Sequence, residues 1–379
     1  MSQNDAYSAL KITRHLDIIQ NSRNGAASRP AHVQLILSDL CNQACGFCAY
    51  RDPSYSSSQL FFEIKKGPGG LRRDKENPER NYNPNRMIAT EKALEIIADC
   101  KAMGVSGIQF TGGGEPTVHP DFLRILTAAQ DAGLATSLVT NGVIVGRRWD
   151  ENWARAISRL AWVRYSIDAG NGVTYKKIRN VPDWHFDCAL EAISRTKKLV
   201  ARPVIGAGFV VTEDNWQEVH AGVQLVRHFG ADNVRISAQF STEDEKRFSS
   251  FAKECAALCQ KAVTDFHDDS FQVYNRFSEK LSDLTQKRPD YETCWYQQAT
   301  TYIGADLNVY RCCVLAYNEH GIVGNLNSKS FKDLWMSQER FDEMRAFDAK
   351  SCERCQFNGI NRNLEYIMRP SHPLHAEFV

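Results

Sequence analysis

Three cysteines stand close together in the segment CNQACGFCAYR, at Cys41, Cys45 and Cys48. The C-x3-C-x2-C spacing places three thiolates in one loop, one ligand short of the closed tetrahedral set of a structural zinc site. Thiolates also hold iron–sulfur cubanes, in which three of them leave one iron open to a further ligand. The triplet therefore predicts an open metal cluster, with a zinc knuckle completed by a distant ligand as the alternative.

A second group of cysteines lies near the C-terminus. The segment TCWYQQATTYIGADLNVYRCC predicts a β-hairpin whose open end brings its first cysteine beside its last two, and SCERC adds a C-x2-C pair. Two such pairs give four thiolates, which predicts a second, closed metal site. The predicted ligands are Cys294, Cys312, Cys352 and Cys355, with Cys313 as a spare that competes with Cys312. A zinc ribbon with four thiolate ligands is the alternative.

The other four cysteines have helical, apolar surroundings. They are Cys100, Cys188, Cys255 and Cys259. Free cysteine behaves as a small buried hydrophobe, so we expect these four to pack in the core.

Composition limits the class of protein. The 379 residues carry 46 basic and 45 acidic side chains, a formal charge of +1, which gives no broad attraction to nucleic acid or to an anionic membrane. The first residues, MSQNDAYSAL, do not form a signal peptide, and we expect no membrane span. Clustered cysteines without a secretion signal favour metal binding in a reducing cytoplasm over disulfides.

An alternation of strand-like and helix-like segments begins at residue 32. Six β/α repeats predict a parallel sheet with helices outside it, an open twisted sheet or a partial barrel, with its site at the carboxyl ends of the strands. Residues 243–284 are predicted to be helical. We expect an N-terminal extension (1–31), a catalytic domain (32–285) with a long polar insertion (52–86), and a small Cys-rich hairpin-plus-helix module (286–379). The insertion is either a surface loop or a lid.

Polar residues follow several of the predicted strands. Gly113 and Gly114 in TGGGEP allow the backbone to approach a ligand, and Glu115 can accept a hydrogen bond from an ammonium group. Further candidate ligand-binding residues follow the third strand and lie on the fourth and sixth: Asn141, Ser166, Asp168 and Arg235. The serine and the aspartate alternate along one strand, which predicts that both point to the same face. Asn141 is equally suited to a turn, and Arg235 to a surface salt bridge.

The triplet, with Phe47 before its last cysteine, resembles the signature of the radical S-adenosylmethionine (SAM) superfamily. The resemblance covers about residues 32–240. It implies a partial (β/α)6 barrel and a 4Fe–4S cluster whose open iron binds SAM. It also implies that Gly113, Gly114 and Glu115 contact the SAM amino group. Ser166, Asp168 and Asn141 would reach its ribose or carboxylate, and Arg235 its carboxylate or the substrate.

The C-terminal cysteines and the phrase GNLNSKSFKDLWMS resemble the twitch module, the short form of the SPASM module. This resemblance implies one auxiliary 4Fe–4S cluster. A full SPASM module requires about seven ligands for two clusters, and five candidates fall short of that number.

Together the resemblances imply an enzyme that cleaves SAM to a 5′-deoxyadenosyl radical, removes a substrate hydrogen atom and completes a two-electron oxidation or crosslink. The substrate is predicted to be a ribosomally made peptide, or alternatively a sugar, cyclitol or nucleoside. Expected partners are a flavodoxin- or ferredoxin-type electron donor and a separate leader-peptide recognition protein. A non-enzymatic electron carrier is a third hypothesis, which the SAM-pocket residues Glu115, Ser166 and Asp168 argue against.

Overall fold

A computed structural model of the chain describes residues 7–51, 87–239, 248–279, 281 and 288–368. The insertion predicted at 52–86, with its alternatives of surface loop and lid, lies outside the described residues. Within the described part of the chain, no helix is both long enough and apolar enough to cross a membrane.

Parallel strands form the centre of the molecule. In chain order they are β1 (His32–Ile36), β2 (Gly107–Thr111), β3 (Ala135–Thr140), β4 (Trp162–Ser166), β5 (Val204–Val211), β6 (Asn233–Ala238) and β7 (Gln272–Asn275). The first six are the strands that the alternation predicts, and each pairs in parallel with the next. The prediction of a parallel α/β sheet is therefore confirmed.

Helices cover the outside of this sheet and the C-terminal region. They are α1 (Leu16–Arg23), α2 (Thr90–Met103), α3 (Phe122–Asp131), α4 (Val143–Arg147), α5 (Glu151–Ser158), α6 (Gly172–Arg179), α7 (Trp184–Lys197), α8 (Val219–His228), α9 (Ala252–Phe266), α10 (Phe331–Trp335), α11 (Gln338–Ala346) and α12 (Asn358–Met368). Gly104 ends α2 in a left-handed conformation with φ 75°, which glycine adopts without strain.

The two faces of the strands differ in polarity. Outward side chains such as Val33, Leu35 and Phe110 are completely buried against the helices. Inward positions are polar: the Gln109 Nε2 group donates to Gln34 Oε1 at 2.9 Å inside the sheet, and Arg235 lies on the same face further along. Since side chains alternate along a strand, this pattern builds an apolar shell around a polar lumen.

The interpretation of residues 243–284 as helical is wrong in part. Helix α9 is followed by β7, which pairs in parallel with β6 and buries Val273. A strand of four residues is too short to show its own period, and its pairing with β6 determines its structure.

The C-terminal hairpin extends the same sheet. Strands β8 (Thr300–Ile303) and β9 (Asn308–Tyr310) pair antiparallel, as predicted, and β10 (Ile322–Asn325) pairs with β9. β8 also pairs in parallel with β1, so the strand order is β10-β9-β8-β1-β2-β3-β4-β5-β6-β7. The sheet ends at two different strands and is not closed, which confirms a partial barrel.

The isolated cysteines pack largely as expected. Cys100, Cys255 and Cys259 are fully buried, and the Sγ atoms of the last two lie 3.9 Å apart. Cys188 is partly exposed on α7.

Candidate active site and cysteine centres

A cavity of about 780 Å³ opens inside the partial barrel. Cys41, Cys45 and Cys48 line it together, in the loop that follows β1. Backbone hydrogen bonds fix this loop against the end of α6, from Ala44 N to Arg179 O at 3.0 Å and from Gly46 N to Ile178 O at 3.0 Å. The structure thus brings the three predicted thiols to the carboxyl edge of the sheet.

The electrostatics of the triplet suit a bound cation. The pKa of Cys41 is raised to about 12, mainly by burial and also by the neighbouring Cys45 thiol and Glu115 carboxylate. Thiolates at this position are therefore stable only beside compensating positive charge. Irons of a cluster would supply that charge, so the donor set fits an iron–sulfur group.

The glycines of TGGGEP pack against the cysteine loop itself. A Cβ on Gly113 would lie 2.8 Å from Asp39 Oδ1, and one on Gly114 would overlap the carbonyl oxygen of Leu40. Two backbone hydrogen bonds join the loops, from Gly114 N to Ser38 O and from Glu115 N to Leu40 O, both 2.9 Å. Because Gly113 and Gly114 have no side chains, their loop can pack directly against the cysteine loop. This packing role is separate from the predicted approach of the backbone to a ligand.

Glu115 lies at the centre of a buried network beside the triplet. Its Oε1 accepts hydrogen bonds from Thr117 N at 3.1 Å and Thr140 Oγ1 at 2.7 Å, and its Oε2 accepts from Asn141 N at 2.8 Å. Burial raises the pKa of Glu115, which these hydrogen bonds oppose. The carboxylate therefore ties the end of β2 to the end of β3 while it lines the cavity.

Asn141 has the turn role that the sequence allowed. Its Oδ1 accepts from Val143 N at 3.1 Å at the start of α4, and its Nδ2 donates to Asn42 Oδ1 at 2.7 Å in the cysteine loop. The side chain also lines the cavity, so the turn role and a ligand contact are compatible.

Ser166 and Asp168 do not lie on one strand as predicted. β4 ends at Ser166, and Asp168 follows in a left-handed conformation with φ 57°. The Asp168 carboxylate accepts from Val210 N at 2.7 Å and forms a buried ion pair with Arg179. Both residues nevertheless line the cavity, because the left-handed turn returns the aspartate side chain to the lumen.

Arg179 is a central residue that the sequence analysis missed. Its Nη2 group contacts Asp168 and donates to Ser166 O at 2.9 Å, and its Nη1 lies 3.8 Å from Cys45 Sγ. The guanidinium carbon also lies 5.8 Å from the centre of the Phe47 ring. This places one buried cation against the triplet, and no local pattern around residue 179 signals it.

Arg235 lies deeper in the lumen, on β6. Repulsion by Arg164, together with burial, lowers its pKa to about 10, so the side chain stays charged at neutral pH. Its Nε has no hydrogen-bond partner among the described residues. Arg235 lines the cavity and is not a surface salt bridge.

The second cysteine group lies in the C-terminal region, and its thiols affect one another. Burial raises the pKa of Cys312, and Cys313, Cys294 and Cys355 raise it further. The pKa of Cys352 is raised to about 12 by burial and by Cys294 and Cys355. These effects indicate that Cys294 and Cys355 lie near both Cys312 and Cys352, but within the described ranges no three Cys, His, Asp or Glu side chains are arranged to hold a metal ion. Like the triplet, these thiols need compensating positive charge to ionise, which fits a bound cluster.

Cys313 has further contacts of its own. Its Sγ accepts from Gln356 Nε2 at 2.9 Å, and its side chain packs against a buried group that includes Tyr302 and Tyr317. Tyr50, two residues after the triplet, packs against the same group, and its ring centre is 5.9 Å from that of Tyr317. Aromatic side chains therefore connect the segment after the triplet to Cys313.

Tyr317 connects the C-terminal region to the cysteine loop through hydrogen bonds of its hydroxyl group. Its hydroxyl donates to Asp39 and accepts from Ala305 N at 3.2 Å, and its backbone is left-handed with φ 62°. Its ring also lies beside Gly113. The sequence carries no motif for this contact.

Comparison with known families agrees with this geometry. The profile of the Radical SAM superfamily matches residues 35–226, about half of the chain. The chain belongs to the radical SAM superfamily. The profile of the SPASM iron–sulfur cluster-binding domain matches residues 294–356, which contain all five C-terminal cysteines. This radical SAM enzyme therefore uses SAM and 4Fe–4S clusters, including an auxiliary one.

Individual relatives support the same family. The AdoMet-dependent heme synthase of Methanosarcina barkeri is 24% identical over 283 residues, which are 69% of this chain and 77% of that protein. Among solved structures, Streptococcus suis SuiB bound to precursor peptide SuiA has a TM-score of 0.60 and 13% identity, covering 95% of this chain and 78% of that one. The enzyme anSMEcpe, with bound AdoMet and Kp18Cys peptide, has a TM-score of 0.56 and 17% identity, with 88% of each chain covered. At such identities the structural likeness shows the fold.

Proposed function

We propose that this radical SAM enzyme oxidises or crosslinks a ribosomally made peptide by removing two electrons. Cys41, Cys45 and Cys48 would hold the SAM-binding cluster, and Cys294, Cys312, Cys352 and Cys355 the auxiliary cluster. When bound, the reduced SAM cluster supplies the electron that converts SAM to methionine and a 5′-deoxyadenosyl radical. Cys312 is favoured over Cys313 as a ligand because its thiol is close to Cys294 and Cys355.

The observation that carries the proposal is the extent of the cavity. Besides the triplet, the same cavity is lined by Tyr296, two residues after Cys294, and by Gln356 and Phe357, directly after Cys355. Its volume of about 780 Å³ is within the range that holds a drug-sized ligand, roughly 300–1,000 Å³. A substrate group bound there can thus face SAM at one end and the auxiliary cluster at the other.

Residues around the cavity would position SAM and exclude water. Glu115 would accept from the SAM ammonium, with Gly113 and Gly114 beside it, while Asn141, Ser166 and Asp168 would border the ribose. Arg179 would face the SAM carboxylate, because it is the cavity cation that contacts Cys45. The N-terminal segment also lines the cavity, through Tyr7, Ser8, Ala9, Lys11, Ile12 and His15, and would help to exclude water from a bound substrate.

A peptide substrate is supported by the solved relatives. SuiB binds its precursor peptide SuiA and anSMEcpe binds a peptide, and both share this fold. A low-potential flavodoxin or ferredoxin would reduce the SAM cluster, and a separate protein would present the leader of the precursor. The cytoplasm, as the reducing compartment, is the proposed location.

A small polar metabolite is the second candidate. The observation in its favour is that Tyr7, Lys11 and His15 of the N-terminal segment line the cavity, which leaves less room for a polypeptide to enter. The relative named as a heme synthase, which aligns with 69% of this chain, also supports this candidate, because heme is not a peptide.

Incubation with peptides encoded beside the gene tests the proposal. Anaerobic, dithionite-reduced enzyme with SAM should form 5′-deoxyadenosine together with a peptide lighter by two hydrogens, measured by mass spectrometry. Deuterium placed in the peptide should appear in the 5′-deoxyadenosine. If the peptide is unchanged and a sugar, cyclitol or nucleoside stimulates 5′-deoxyadenosine formation instead, the peptide proposal is wrong and the small-metabolite candidate is favoured.

A further inference from the structure

Arg235 and Arg276 both line the cavity, and the Nε of each is buried without a hydrogen-bond partner within the described ranges. The Nε of Arg179 is in the same state, but the Nη2 of that residue already binds Asp168 and Ser166. A buried donor left unsatisfied costs about 1–3 kcal/mol, more when the group is charged. Such groups are retained where a ligand satisfies them.

The neighbours of Arg235 are cationic and aromatic. Its neighbour in register on β5 is Gly208, which the Arg164 side chain covers, and its neighbour on β7 is Tyr274. The Tyr274 ring packs at 4.7 Å against Tyr7 of the N-terminal segment, and Arg276 lies 5.6 Å over the Tyr7 ring. Arg235, Arg276 and Tyr7 therefore line the same part of the cavity, and Tyr274 supports the Tyr7 ring.

The carboxylates that line the cavity are already engaged elsewhere. Asp168 pairs with Arg179, and Glu279 pairs with Arg276 Nη2 at 2.5 Å. Glu115 accepts from Thr117, Thr140 and Asn141. The positive charge of Arg235 therefore has no matching carboxylate in contact with it among the described residues, and Arg164 on β4 adds repulsion.

We propose that Arg235, with Arg276 beside it, binds a carboxylate of the substrate. The planar guanidinium donates two parallel hydrogen bonds to a carboxylate, which fixes the orientation of the bound group as well as its position. This proposal rests on the proposed function, since it takes the cavity to be the substrate site. It narrows the substrate class to an acidic molecule, either a peptide with an acidic side chain at the reacting position or a small carboxylic acid.

The carboxylate of SAM is a less suitable occupant. That group lies at the methionine end of SAM and must be near the cysteine triplet, where Arg179 contacts Cys45 Sγ at 3.8 Å. Apart from burial, the largest effects on the pKa of Arg235 come from Arg164, Tyr7, Arg276 and Asp168. Arg235 is thus placed for the substrate side of the cavity.

Matched neutral and charged probes test the subsite without turnover. Calorimetry on the oxidised holoenzyme saturated with SAM would compare acetyl-Ala-Glu-Ala-amide with its Gln counterpart, and butanoate with butanamide. In at least one pair the carboxylate should bind about tenfold tighter than the amide. Discrimination in the peptide pair identifies a peptide source, and discrimination in the butanoate pair alone a small acid.

Variants show whether Arg235 causes the discrimination. Arg235→Gln should abolish the difference within the pair, Arg235→Lys should retain part of it, and SAM affinity and iron content should stay at wild-type values. Arg159→Gln, which removes an exposed arginine paired with Asp131, is the control and should leave the discrimination intact.

Three results would overturn the subsite. The first is that the wild-type enzyme binds the carboxylate and the amide of both pairs equally, or binds none of them detectably. The second is that Arg235→Gln still prefers the carboxylate, and the third is that this variant loses SAM affinity by tenfold. Because the probes are bound and not turned over, failure of the oxidation proposal would not alter these readings.

Discussion

Glu115 is a buried carboxyl group whose pKa is raised by burial, an effect that its hydrogen bonds oppose. Its hydrogen bonds from Thr117, Thr140 and Asn141 hold the carboxylate at the cavity wall next to the triplet. A fixed carboxylate of this kind can accept from an ammonium group with little loss of conformational entropy, because its orientation is already set. Its contribution should therefore appear in ligand affinity and not only in folding.

We expect Glu115→Gln to weaken SAM binding by about tenfold or more. The amide cannot form the charge-assisted hydrogen bond to the SAM ammonium, which contributes about 1.5–3 kcal/mol. Equilibrium binding of SAM to anaerobically reconstituted enzyme measures the effect, with iron content as a check that the clusters are retained.

Thr140→Val is the matched control for that change. It removes one donor to Glu115 Oε1 and keeps the charge, so its effect on SAM affinity should be clearly smaller. If the two variants weaken SAM binding equally, Glu115 acts only through the structure of the loops and does not contact SAM.

The site residues that the sequence predicts all belong to motifs whose members are close together in the chain. The triplet spans eight positions, and TGGGEP is contiguous. Arg179 and Tyr317 were not predicted, because their partners Cys45 and Asp39 are 134 and 278 positions away. Contacts of that length depend on the tertiary fold, and a single sequence carries no trace of them.

At the level of elements, two loops determine the position of the triplet. The loop after β1 carries the cysteines, and the loop after β2 crosses it at Gly113 and Gly114. The approach is so close that no side chain fits between the backbones. The position of the cluster ligands therefore depends on glycines that are not ligands themselves.

Gly114→Ala should cause loss of the SAM-binding cluster. The new Cβ would overlap the Leu40 carbonyl, just before Cys41, and push the cysteine loop away. We expect iron to fall by about four atoms per chain and SAM cleavage to be lost, as measured by iron analysis and 5′-deoxyadenosine formation.

Gly46→Ala provides the comparison within the same loop. Gly46 lies between Cys45 and Phe47, and a Cβ there meets no atom within 4 Å. This variant should keep its iron and its SAM cleavage. Equal losses in both variants would mean that the loop tolerates no added methyl group, whatever its contacts.

The strands that can be predicted from the sequence are those whose outward side chains are apolar. β1 to β6 each combine a buried outward row with helices on either side, so their alternation is visible in the sequence. β7 has four residues, and β8 pairs with β1 at a distance of more than 260 positions, as in the pair His32 and Thr300. Neither pairing leaves a periodic signal.

In the whole molecule, the two cysteine centres share one sheet. β8 of the C-terminal region pairs with β1, whose next loop carries the triplet, and Tyr317 is bonded to Asp39 in that loop. The auxiliary centre is therefore fixed relative to the SAM site by backbone pairing and a buried hydrogen bond. A fixed connection of this kind would suit the electron transfer from substrate to auxiliary cluster that the proposed function requires.

Replacing Cys352 and Cys355 by Ala should separate the two halves of the reaction. The double variant loses half of the proposed auxiliary ligands, so iron should fall from about eight to about four atoms per chain. Uncoupled SAM cleavage should survive, because the triplet is unchanged, while the two-electron oxidation of peptide should be lost. Cys255→Ala with Cys259→Ala is the control, since these buried thiols lie in α9 away from both centres and their removal should leave iron at about eight. Retention of all iron and of peptide oxidation in the Cys352 and Cys355 variant would show that the ligands, and the electron acceptor, lie elsewhere.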